Sequence, residues 1–350
     1  MKPLPTTLRT LDELCARSLV PPEKVKALAE VAARYAVALT PAMADLIDPN
    51  DAGDPIARQF VPDARELEQT SQERADPIAD YPFSPVEGVV HRYPDRVLLK
   101  VVNACAVYCR FCFRREMVGP GRGGLSAAAF AAAIGYIESR PQIWEVILSG
   151  GDPLILSARR VKDIVERLAA IAHVQAIRVH TRIPVVAPER ISAALVRALR
   201  TEKATFVVLH ANHPRELTQE ARAACGRVID AGIPMLSQSV LLRGVNDDIE
   251  TLGTLMRTFV ACRIKPYYLH HADLAPGTSH LRTAITQGQD LMRGLRGRFS
   301  GLCQPTYVLD IPGGHGKAPI GPNYVSVAMA GGTALIEDHD GGTHAYPPKP

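Results

Sequence analysis

Cys105, Cys109 and Cys112 follow a C-x3-C-x2-C spacing that puts three soft sulfur ligands on one short loop. Thiolates so spaced hold an iron–sulfur cluster or a zinc ion. A structural zinc site closes its tetrahedron with a fourth ligand, and no fourth cysteine lies nearby. Three cysteines on a four-iron cluster leave one iron open to a ligand that is not protein, which suits catalysis better than electron carriage. Three unconnected thiols are the plain alternative. The remaining cysteines, Cys15, Cys225, Cys262 and Cys303, do read that way, because they are scattered. A second candidate is Lys317, at the end of Gly313-Gly314-His315-Gly316-Lys317. A glycine-rich loop with a lysine suggests phosphate binding, but the P-loop order fails because Ala318 and Pro319 follow. The third is Ser149-Gly150-Gly151-Asp152, whose glycines allow a close backbone approach to a ligand, although such a turn alone is common.

These groups need a frame. The apolar run over 97–102, broken only by Lys100, reads as a buried strand. Further strands are expected at 144–148, 176–179, 205–209, 234–240 and 264–269, with a weaker one at 306–309. Helical spacing of apolar residues falls between them, as in Val161, Ile164, Val165 and Leu168 behind the cap Ser157. Longer helices are expected at 189–199, 215–231, 248–262 and 286–298. Strands alternating with helices imply parallel βαβ units. Six repeats fall short of the eight of a closed barrel. The expected fold class is therefore α/β, a partial (βα)6 barrel with an N-terminal helical and extended segment.

In such barrels chemistry sits at the C-terminal ends of strands. There the sequence places the cysteine loop, the Gly-Gly-Asp turn, His180-Thr181-Arg182, His210-Ala211-Asn212, Gln238, and the group His270, His271 and Asp273. The expected division is a helical region and extended wrap at 1–90, the barrel at 91–325, and a polar tail at 326–350. The wrap, 48–90, is acidic and punctuated by prolines.

The 350 residues are 47% apolar and 22% charged, which excludes disorder and a coiled coil as the main architecture. A net charge of +4 is too mild to argue for nucleic acid. No apolar stretch approaches a membrane span, and the N-terminus has no signal-peptide core. The expected location is cytoplasmic, where free thiols persist.

The cysteine loop after the first strand of a partial barrel resembles that of the radical S-adenosylmethionine (SAM) enzymes. In those enzymes SAM binds the open iron of a [4Fe–4S] cluster and is cleaved to a 5′-deoxyadenosyl radical. Within them, His91–Val97, Cys109–Arg115 and Leu309–Lys317 resemble the lysine 2,3-aminomutase family, in the family's order, and the resemblance runs from about residue 54 to 325. It implies an isomerase that moves the α-amino group of L-lysine to Cβ, giving β-lysine, with pyridoxal 5′-phosphate (PLP) as a further cofactor. It implies Cys105, Cys109 and Cys112 as cluster ligands and Lys317 as the catalytic Schiff-base lysine for PLP. Arg92 and Arg96 would hold the PLP phosphate. Gly150, Gly151 and Asp152 would bind SAM, and His210 and Gln238 would line the cofactor cavity. Arg114 would pair with the substrate α-carboxylate, and Asp273 and Asp310 with the distal ammonium.

The partners implied are a small amino acid substrate and an electron donor such as flavodoxin or ferredoxin, with a homo-oligomer possible. Two related readings stand beside this one. They are the short-chain branch that supplies β-lysine for elongation factor P, and a 2,3-aminomutase for another amino acid such as arginine. A non-catalytic metal-binding protein explains the cysteines but not Lys317 together with Arg92 and Arg96. The chain departs from the family at His270, where an aromatic residue is expected. No cysteine follows Cys303, so no zinc is carried over.

Overall fold

The computed structural model describes residues 6–119, 123–327 and 333–347. Its frame is a nine-stranded sheet in which every strand lies beside its sequence neighbour. β1 (Val89–Tyr93) and β2 (Arg96–Val102) form an antiparallel hairpin. β3 (Glu145–Gly150), β4 (Ala176–Thr181), β5 (Ala204–His210), β6 (Met235–Leu241), β7 (Ile264–His271) and β8 (Thr306–Asp310) add in parallel from β2 onward. β9 (Lys317–Pro319) folds back antiparallel on β8. β1 and β9 are the two edges, so the curled sheet stays open. All six expected strands are present, and the weaker one at 306–309 is a seventh parallel strand. Arg92, in β1, and Arg96, the first residue of β2, flank the turn of this hairpin.

Helices Ala127–Glu138, Ala158–Ala169, Gln219–Asp230, Ile249–Ala261 and Ile285–Arg298 connect the strands. Their apolar stripes enter one continuous core. Ile134, Ile137, Val161, Val165 and Leu168 pack there with sheet residues such as Val146, Val179 and Val207. Ser126, Ser157, Thr218 and Asp248 cap helix starts by accepting from an N–H three residues on. Two expected helices are broken at such residues. Ser192 starts a new helix, Ala193–Ala198, and Thr218 separates a short turn from the helix that follows it. A hydroxyl that satisfies a free N–H makes a better start than an interior position.

The N-terminal segment carries helices Leu11–Ala16 and Pro22–Arg34. The stretch 48–88 has only short helical turns, as its prolines dictate, yet it does more than wrap. Asp54, Gln59, Phe60, Glu66 and Asp80 are all buried. At the other end, the segment read as a tail contributes to a separate sheet of β10 (Val325–Val327), β11 (Ala334–Glu337) and β12 (Thr343–Tyr346). Arg293 pairs with Glu337 at 3.1 Å, and Arg296 donates to its carbonyl at 3.2 Å, tying this sheet to the last barrel helix. Among the described residues, no helix is long and apolar enough to cross a membrane.

Candidate active site

The cysteine loop leaves the C-terminal end of β2 and is clasped from outside. The Tyr108 N–H donates to the Ala38 carbonyl and the Arg110 N–H to the Gln59 carbonyl, both at 2.8 Å. Below it, Glu66 is fully buried and takes two guanidinium groups, Arg110 through Nε at 2.9 Å and Arg115. The N-terminal wrap therefore fixes the loop through charge as well as through shape. Burial pushes all three thiols up, Cys112 to about 11, and neighbouring thiols raise Cys105 and Cys112 further. The three sulfurs are thus close enough to repel one another as thiolates. Among the described residues, however, no three His, Cys, Asp or Glu side chains converge on a single ion. An iron–sulfur cube takes one thiolate on each of three irons, so this spacing fits a cluster better than a lone zinc. The metal's charge is what would hold such thiols deprotonated.

The Gly-Gly-Asp turn at the end of β3 sits directly on that loop. The Gly151 N–H donates to the Val102 carbonyl at 2.6 Å and the Asp152 N–H to the Ala104 carbonyl at 2.9 Å. A Cβ on Gly151 would lie 2.1 Å from the Ala104 carbonyl oxygen, and Gly150 holds φ near +112°. The glycines are thus required by close contact with the protein's own backbone. The Asp152 carboxylate is turned inward. It accepts from Thr181 Oγ1 at 2.7 Å, the Arg182 N–H at 2.6 Å and the Leu154 N–H at 3.0 Å. What the turn leaves for a ligand is its backbone.

Across the sheet, the β8–β9 hairpin brings Asp310 and Lys317 face to face as register partners. The Lys317 Nζ donates to Asp310 Oδ2 and lies 3.4 Å from His270 Nδ1. The Lys317 N–H donates to Tyr93 Oη at 2.7 Å, which joins this hairpin to β1. Burial pushes the Asp310 carboxyl up, but the His270 hydrogen bond and the Lys317 charge outweigh it and hold Asp310 well below the usual range. Asp273, on the loop after β7, behaves oppositely. Burial, reinforced by the Asp310 charge, raises it to about 8. His270 is driven down by burial and then by Lys317, so it stands neutral between the charged pair.

The arginines share one acid. Asp80, buried in the wrap, pairs with Arg114 at 2.8 Å and with Arg92 at 3.3 Å. Arg92 also donates to the Ile78 carbonyl at 2.7 Å. Arg96 pairs with Asp95 at 2.7 Å and stacks over the Tyr93 ring. His210, at the end of β5, lies 3.2 Å from Asn212 Oδ1, and burial keeps it neutral. Gln238 on β6 reaches His180 Nδ1 at 3.5 Å. Two buried nitrogens here, His180 Nε2 and Arg92 Nε, have no partner. Buried polar atoms are seldom left so, a phosphate-bearing polar cofactor would supply acceptors, and the charge of the Lys317 amine already reaches His180. The residues therefore fit PLP.

Sequence reasoning missed Asp80, Glu66, Gln59 and Glu216, the acids and amide that hold the arginines. Asp80 and Glu66 lie in a stretch with no periodicity, and nothing local says which cation each one meets. Arg182 was visible only as one polar residue following a strand.

A family model described as the radical SAM superfamily matches residues 99–255, and one described as lysine-2,3-aminomutase matches residues 292–349. The L-lysine 2,3-aminomutase of Clostridium subterminale is 39% identical over 339 residues, covering 97% of this chain and 81% of that protein. A putative L-lysine 2,3-aminomutase of Aquifex aeolicus is 40% identical over 319 residues, covering 91% and 86%. A glutamate 2,3-aminomutase of Clostridioides difficile is 35% identical over 320 residues, covering 91% and 75%. One model falls on the cysteine loop and the other on the Asp310–Lys317 hairpin, and the likeness spans nearly the whole length, so the chain belongs to the lysine 2,3-aminomutase family of radical SAM enzymes.

Proposed function

We propose that this enzyme converts L-lysine to β-lysine by moving the α-amino group to Cβ. It works with a [4Fe–4S] cluster, SAM and PLP. Bound there, the cluster and SAM supply a carbon radical that can take a hydrogen atom, and PLP supplies a π system through which an amino group can migrate. Cys105, Cys109 and Cys112 would hold the cluster, and the Gly150-Gly151 backbone, with His210 and Gln238, would position SAM. Lys317 would hold PLP covalently while Arg92 and Arg96 hold its phosphate. Arg114, fixed in direction by Asp80, would take the substrate carboxylate as a bidentate fork. The protein's work is placement and exclusion of water from a reactive radical. A one-electron donor of the flavodoxin or ferredoxin class would reduce the cluster.

One observation carries the choice of substrate. An alkyl ammonium, that of Lys317, already sits against Asp310, and both charges are felt by a second acid, Asp273. This is a seat for the far end of a lysine. Once Lys317 is engaged by the cofactor, Asp310 is free for the substrate's ammonium. With Lys317 taken by the cofactor and Arg114 by the substrate α-carboxylate, an acidic side chain would face the Asp310 carboxylate with no cation left to match it, which argues against glutamate. The test is anaerobic incubation with SAM, PLP, dithionite and either L-lysine or L-glutamate, followed by amino acid analysis. β-Lysine from the first and nothing from the second is the expected result. β-Glutamate would refute the reading.

A further inference from the structure

The loop that holds the three cysteines is touched by one cation that the reaction as described does not use. Arg182, the first residue after β4, is buried and donates from Nη1 to Cys109 Sγ at 2.9 Å. Its Nη2 donates to Glu216 Oε2 and to Gln59 Oε1, both at 2.6 Å. Phe60 and Phe111 rings lie 4.7 and 5.3 Å from its guanidinium carbon. Glu216 is fully buried and is itself held by the Asn212 N–H at 2.8 Å and the His213 N–H at 2.9 Å. Two aromatic walls and a fixed carboxylate leave the guanidinium one direction, toward the sulfur. The same residue's backbone N–H binds Asp152 of the Gly-Gly-Asp turn.

We infer that Arg182 is a positioning residue that sets the reduction potential of the cluster through a charge-assisted hydrogen bond to the Cys109 thiolate, with Glu216 limiting how much of its charge the cluster feels. The inference rests on the assignment of the three cysteines as cluster ligands. Reduction adds negative charge to the cluster, and a donor aimed at a ligand sulfur stabilises that charge more in the reduced form. Removing the donor should therefore make the cluster harder to reduce. Neutralising Glu216 while keeping Arg182 should make it easier, because the buried cation is then uncompensated. A residue that merely packs the loop would not move the potential in opposite directions.

The test uses the full chain, reconstituted anaerobically with iron and sulfide and without substrate. Iron and sulfide are assayed first, in wild type and in Cys109→Ala. Wild-type iron in the cysteine variant would sink the cluster assignment itself, a failure separate from that of the inference. The potential is then read as the electron-paramagnetic-resonance signal of the reduced cluster in mediator-poised titrations. Arg182→Met combined with Glu216→Gln removes the buried charges together, so no lone carboxylate is left to unfold the site. It should retain iron and show at least a ~tenfold lower ratio of reduced to oxidised cluster at fixed poise, equivalent to about 59 mV for a one-electron couple. Glu216→Gln alone should shift the other way. An iron-replete double variant that titrates with wild type, or both variants shifting in the same direction, would overturn the inference.

Discussion

Asp273 offers the sharpest test of the substrate site, because its charge state decides whether the seat for an ammonium is ready. Burial raises its carboxyl to about 8. At pH 7 only about one molecule in eleven has it ionised, and at pH 9 about ten in eleven do, by simple titration. In the loaded enzyme Lys317 is no longer a free cation, which removes one of the charges now pulling Asp273 down. Loss of that pull moves the carboxyl further up, and at about 8 the ionised fraction rises about tenfold between pH 7 and 9. Lysine binds the ionised form, so kcat/KM, which reports free-enzyme groups, should climb by that factor, while kcat should not. Substrate and cofactor groups also titrate in this window. The quantity to measure is thus the ratio of wild type to Asp273→Asn at each pH. At pH 9 the variant leaves the ammonium short of one buried partner, a loss of about 3–5 kcal/mol, or hundreds- to thousands-fold in kcat/KM. At pH 7 the gap should shrink about tenfold, because wild type is itself mostly protonated there. Parallel pH profiles for the two proteins would refute the argument.

Other outcomes follow from the same geometry. Replacing Cys105, Cys109 or Cys112 with Ala should abolish cluster iron and SAM cleavage, whereas Cys15, Cys225, Cys262 or Cys303→Ala should leave iron content unchanged; metal analysis decides. Borohydride reduction of the PLP-loaded enzyme should fix the label on Lys317, and peptide mapping to another lysine would end that assignment. Gly151→Ala should displace the turn from the cysteine loop, since its Cβ would overlap the Ala104 carbonyl. Overpacking of this kind costs about 1–3 kcal/mol. A lower melting temperature together with slowed SAM cleavage is expected, and wild-type values for both would contradict it.

Much of this architecture was legible in the chain, and the parts that were not share a cause. Strands such as 97–102 and 205–209 carry their own signal, because each run is apolar but for one residue and none of its positions is exposed. β1, β9 and the β10–β12 sheet carry little, being short antiparallel elements whose partners rather than composition define them. The cysteine loop and Lys317 stood out because their residue types are rare and their spacing narrow. Asp80 and Glu66 did not, because an acid in a proline-rich segment looks solvated until the fold delivers two arginines to it. Gly151 was noticed for a partly different reason than the structure supplies, since its missing side chain makes room for the Ala104 carbonyl.

The direct pairing of Asp310 with Lys317 across β8 and β9 has a bearing on how this protein can change over generations. Side chains alternate along a strand, so dropping or adding one residue in 311–316 would turn Lys317 to the opposite side of its strand. Gly313, Gly314 and Gly316 are held by their left-handed backbone, and a side chain on Gly314 would strike the Phe83 ring, so the loop is constrained in sequence as well as in length. Gradual lengthening, the ordinary route by which surface loops diversify, is closed here. New substrate preferences in this lineage would have to arise by substitution around the hairpin, with the hairpin itself handed down at constant length.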